Sequence, residues 1–154
     1  MNVHALSLLN EKEFMMSTNS VDVEWKQGLT FEAHQQGRSY TLVSSTSEDD
    51  KGTGISPKQM LLSALAGCTG MDVAVMLPKM RVPFTSLRVR VSAELTEEHP
   101  KVYTTMHVVY EVGADETFRT QVESAVEKST TKYCGVSAML GKAATITHEV
   151  VMLG

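Results

Sequence analysis

The sequence predicts an α+β fold in which antiparallel sheets surround one long central helix. Three observations carry this. Residues 56–81 are apolar around the whole circumference of a helix, strand-period alternation recurs on both sides of them, and a second, one-sided helix precedes the last strand. The resulting order is βββ-α-ββ-α-β. Strands come in runs and do not alternate strictly with helices, so a doubly wound sheet is not expected.

The elements follow in order. Val21, Val23 and Trp25 alternate with Asp22, Glu24 and Lys26, the pattern of a strand with one buried face. Leu29, Phe31 and Ala33 repeat it after a Gln27-Gly28 turn, and Tyr40 and Leu42 continue it after a turn at residues 35–38, giving an antiparallel meander. Residues 44–53 form a polar loop. Its Glu48, Asp49 and Asp50 lack the spacing of a calcium loop and read as a solvated acidic stretch. Gly52-Thr53-Gly54 has no Gly-Lys-Ser/Thr continuation and is no phosphate loop.

Ser56 is a fitting N-cap for the central helix, and Pro57 suits its first position. Met60, Leu61, Leu62, Leu65, Met71, Val73, Val75 and Met76 leave it no polar side. Such a helix is buried in a domain or spans a bilayer. Gly67, Thr69, Gly70 and Asp72 interrupt a run already too short to span, so the expectation is a buried helix. Pro78 kinks or stops it near Leu77, and Pro83 completes the break.

Leu87, Val89, Val91, Ala93 and Leu95 then alternate with polar residues, the clearest strand of the chain. A turn at residues 97–100 leads into 102–112, with Val102, Met106, Val108 and Tyr110 on one face, completing a hairpin. Asp115 is placed to cap a helix whose Phe118, Val122, Ala125, Val126 and Ser129 form one stripe ending near Thr130-Thr131. A short helical turn around Ala138-Met139-Leu140 stops at Gly141, and residues 145–153 alternate again to close a sheet.

At 154 residues the chain suits one domain, expected over 21–154, with 1–20 a flexible N-terminal extension. That extension lacks a basic start and a long apolar core, so it is not read as a signal peptide. A net charge of −4 and a pI near 5.7 argue against nucleic acid or an anionic membrane as partner. Lys79, Arg81, Arg88 and Arg90 form a local basic group, read as a solvated face. Two cysteines are too few for a disulfide scaffold, and a cytoplasmic location is expected. The ten methionines read as an adaptable core.

Chemistry falls to the thiols. Cys68 lies inside the apolar helix between Gly67 and Gly70, where desolvation raises a thiol pKa. Cys134 follows Lys132 and precedes a short helix, and both features favour a thiolate. The bland alternative is that both are small buried hydrophobes. The five histidines have no zinc-site spacing, and His148, on an apolar strand face, reads as a hydrogen-bonded core residue. No GxSxG elbow is present, and neither a metal nor a cofactor is expected.

The segments SPKQMLLSALAGCTGMDVAVMLPKM, EEHPKVYTTMHVVYEV and KYCGVSAMLGKAATITHEV, in this strand order, resemble the OsmC/Ohr family. The resemblance is greater to its YhfA-like branch than to the organic hydroperoxide resistance enzymes. It runs from about Val21 to Met152. It implies an OsmC-like fold and an intertwined homodimer, each subunit giving a central helix to a shared core. It also implies thiol peroxidase chemistry on small organic hydroperoxides, with Cys68 peroxidatic, Cys134 resolving and a lipoyl-type dithiol as reductant.

Two departures stand out. Peroxidatic members carry a glutamate at the helix start, paired with an arginine that polarises the thiol. This chain has Lys58 and Gln59 at those places, no arginine in the preceding loop, and Arg38 in a hairpin turn. Gly135 also stands where relatives often have proline. Ten residues of helix rise about 15 Å, so a helix-start group that serves a thiol serves the other subunit's. The leading expectation is a peroxidase-like protein with a Cys68/Cys134 redox pair. Its rival is a non-enzymatic protein of the same fold holding an apolar ligand at the dimer interface. A cysteine hydrolase or acyltransferase would need a histidine beside Cys68.

Overall fold

A computed structural model describes residues 18–44 and 54–154, which fall into two compact units joined at Ser56 and Pro57. Residues 1–17 of the expected extension and residues 45–53 of the polar loop, with Glu48, Asp49 and Asp50, lie outside the described residues.

The first unit is the predicted meander: β1 (Asp22–Gln27), β2 (Thr30–Gln35) and β3 (Arg38–Val43), paired antiparallel in that order. Gly28 and Gly37 turn the chain at φ of +50° and +75°, which glycine adopts without a steric penalty. Val23 faces Ala33 and then Tyr40, and Trp25 faces Phe31 and then Leu42, so the apolar residues share one face. Among the described residues that face is covered only in part: Ala33 is buried, but Val23 is 49% and Trp25 60% exposed, where a buried face was expected. After the loop, Ile55 bridges Leu42 in parallel. Gly54 is required there, because a Cβ would lie 2.8 Å from the Thr41 carbonyl oxygen.

The second unit holds α1 (Pro57–Lys79), β4 (Ser86–Leu95), β5 (Tyr103–Gly113), α2 (Arg119–Lys128), α3 (Gly135–Leu140) and β6 (Thr145–Met152). Its sheet runs β4-β5-β6. β4 and β5 form the expected antiparallel hairpin, but β6 is parallel to β5, so this sheet is mixed. The connection through α2 and α3 is long enough to return the chain to the same end of the sheet, as a parallel pair requires. On β5, Met106, Val108, Tyr110 and Val112 are buried. Val102 precedes the strand and is half exposed, contrary to its expected place on that face.

α1 buries Leu65, Thr69, Val73 and Leu77, a stripe at four-residue spacing. The all-round burial expected of it is not met within one chain, since Met71 is 70% and Val75 55% exposed. Its 23 residues are also long and apolar enough to cross a bilayer by length and composition, although the buried stripe packs into the core. Pro78 is accommodated in the last turn. The helix then closes on Arg81 at φ +58°, with Arg81 N–H on the Pro78 carbonyl and Val82 N–H on the Leu77 carbonyl, both at 3.0 Å. These two bonds are those of a Schellman motif. Asp115 caps a 3₁₀ turn (Glu116–Phe118) that leads into α2, its carboxylate accepting from Thr117 N–H at 2.9 Å.

Candidate functional site

The site forms where α1 meets the end of α2. At Lys128 the helix gives way to a π turn, Ser129–Tyr133, whose wider winding ends with Cys134 N–H donating to the Ser129 carbonyl at 2.8 Å. Single π turns of this kind recur at functional sites. The turn delivers Cys134 as the N-cap of α3, where its sulfur accepts the Ser137 N–H at 3.3 Å. Cys134 is buried, at 3% exposure, and Cys68 is half-buried midway along α1.

One turn beyond Cys68, the Asp72 carboxylate accepts from the fully buried Ser129 hydroxyl at 2.9 Å. This bond ties α1 to the π turn within a few residues of each cysteine. The two thiols thereby come close enough to act on one another. The Cys68 thiol is pushed above its ordinary value, first by its hydrogen bond with Cys134 and then by burial. The Val136 backbone N–H opposes the shift, and negative charge on Cys134 and Asp72 adds to it. The first N–H groups of α3 serve both sulfurs.

Sequence reasoning found both thiols but missed three of their neighbours. Asp72 counted only as an interruption of the apolar run, Ser129 only as part of a stripe, and Tyr110 only as a core residue. A carboxylate in an otherwise apolar helix is itself a signal, because it must find a buried partner. Tyr110 is fully buried, and among the described residues its hydroxyl makes no formed hydrogen bond, with Thr69 the nearest group acting on it.

The other candidates lie elsewhere. His148 is not a core residue: its side chain is one-third exposed and sits 3.8 Å from Glu127. Among the described residues no histidine acts on Cys68, so the hydrolase alternative finds no base there. Lys58 and Gln59 are exposed at the start of α1, and Arg38 is exposed at the start of β3. Glu24, Glu32 and His34 gather three ligand atoms on the first sheet, where Lys26 already bridges the two carboxylates at 2.6 and 3.0 Å.

A family model described as an OsmC-like protein matches residues 48–149. The chain belongs to the OsmC family. Protein YhfA of Escherichia coli K12 is 34% identical to it over 127 residues, 82% of this chain and 92% of that one. An OsmC-like protein of Mycoplasma pneumoniae superposes with a TM-score of 0.78 at 15% identity, over 91% of this chain and 100% of the other. The organic hydroperoxide resistance protein OhrB of Bacillus subtilis does so with 0.63 at 14%, over 88% and 98%. At these identities the two structures attest the OsmC-like fold alone. This chain thus shares its α+β architecture with a protein named for organic hydroperoxide resistance.

Proposed function

We propose that the protein reduces small organic hydroperoxides through its two cysteines. The observation that carries this reading is that two thiols from separate elements act on one another, with the Asp72–Ser129 bond tying those elements together. In the first step the Cys68 sulfur, as thiolate, attacks the terminal peroxide oxygen. The O–O bond breaks, an alcohol leaves with a proton, and Cys68 becomes a sulfenic acid. The Cys134 thiolate then attacks that sulfur, a disulfide forms, and the displaced hydroxide leaves as water with the proton that Cys134 gave up. An external dithiol of the lipoyl type returns both thiols by exchange and is itself oxidised.

The working form is an intertwined homodimer. This is supported by Leu61, Met71 and Val75, large apolar side chains of α1 left exposed in one chain. It is also supported by a groove of about 430 Å³ lined by Ala66, Gly67, Gly70, Ala74, Leu87 and Val89, whose small residues admit a second helix closely. A second copy of the chain buries both.

One observation favours a non-enzymatic binding protein instead: the raised Cys68 thiol, with Lys58 and Gln59 in place of an activating carboxylate. Trapping separates the two. Treated with an alkyl hydroperoxide, Cys134→Ser should accumulate a Cys68 sulfenic acid that reacts with a dimedone-type reagent, while Cys68→Ser should leave Cys134 largely unmodified. Trapping at Cys134 would reverse the roles. Reaction at neither site faster than a free cysteine would support the binding protein.

A further inference from the structure

We propose that the Tyr110 hydroxyl is a hydrogen-bond donor held in reserve for the negative charge of the Cys68–Cys134 pair. The inference rests on the thiol-pair reading above and adds a residue to it. Tyr110 sits on the buried face of β5, at 0% exposure, between Val89 of β4 and Val150 of β6. Neither neighbour offers a polar atom. α1 is held down over this part of the sheet at Gly70, where a Cβ would lie 3.2 Å from the Val89 side chain. That brings Thr69, the residue after Cys68, above the tyrosine.

The Thr69 hydroxyl commits its own proton to the Leu65 carbonyl at 2.9 Å. It faces Tyr110, but at a geometry short of a formed bond, and the tyrosine hydroxyl is left unpartnered. A buried polar group without a partner is rare in folded proteins and calls for an explanation. Phenylalanine would fill the same space without that penalty.

The charged and titratable groups acting on the tyrosine are Cys134, from the link into α3, and Asp72, from α1. Directly opposite it β4 and β6 present valines, and His148, on the same face of β6, sits 3.8 Å from Glu127. Burial, and then the negative charge on those two groups, pushes its pKa up, so the hydroxyl keeps its proton. It is a neutral donor beside a site whose chemistry creates a sulfur anion. When the pair loses its first proton, a rotation of the O–H satisfies both groups at once. No proton is transferred: the tyrosine remains neutral and orients toward the sulfur.

The test is Tyr110→Phe in the full-length, reduced protein, read by the ultraviolet absorbance of thiolate as pH rises. The first ionisation of the pair should move up by about one unit, a tenfold loss of thiolate at a fixed pH below it. An unchanged titration overturns the proposal and leaves Tyr110 as packing, including where the variant only melts at a higher temperature. Peroxide takes no part in this titration. A shifted titration in a protein inert to hydroperoxides would therefore keep the tyrosine's role and remove the peroxidase reading alone.

Discussion

At the scale of the residue, the two thiols divide their roles by position. The Cys68 thiol is pushed above its ordinary value, first by Cys134, so its proton is held more tightly than in a free thiol. Removing that partner should release it. In Cys134→Ala the midpoint of Cys68 alkylation, followed against pH, should move down toward the ordinary thiol range. The sign follows because the interaction stabilises the protonated form of Cys68. An upward shift would mean that Cys134 serves Cys68 as a donor. Sequence alone placed Cys134 beside a helix start, and the structure makes it the N-cap of α3. Tyr110 was not legible, because an unpartnered hydroxyl is a property of the packed interior and leaves no trace in strand alternation.

At the scale of the element, the π turn decides where Cys134 stands, and one hydrogen bond fixes that turn to α1. Ser129→Ala leaves the Asp72 carboxylate without its hydroxyl donor. A hydrogen bond to a charged group contributes about 1.5–3 kcal/mol, so a loss of that order is expected in urea unfolding, with slower disulfide closure. Asp72→Asn should separate the two effects: it removes a negative charge that raises the Cys68 pKa, so Cys68 should ionise at lower pH. The strands and helices were legible because their periodicities are local. The π turn was not, since nothing in Ser129–Tyr133 differs from an ordinary helix end until Ser129 meets Asp72. The parallel pairing of β6 was hidden for a related reason: alternation gives a strand its faces but not its direction.

At the scale of the whole molecule, the unfinished surfaces point to association. Trp25 and Phe31 on the first sheet, and Met71 and Val75 on α1, leave apolar area in water that the other described residues do not cover. The sequence signalled this on α1, where no polar side exists, but read the first strand as half-buried because alternation cannot say which chain does the burying. Val75→Asp should therefore dissociate the proposed dimer and unfold the protein in the same concentration range by sedimentation and circular dichroism. A folded, soluble wild-type monomer on dilution would contradict the shared core. The central claim remains the redox pair. It is tested most directly by adding one equivalent of an alkyl hydroperoxide to the reduced protein and counting free thiols, with peptide mapping of the product. Both thiols should disappear together, with a Cys68–Cys134 disulfide within one chain and one molecule of alcohol released. Two thiols still titratable, lost no faster than free cysteine, would contradict it.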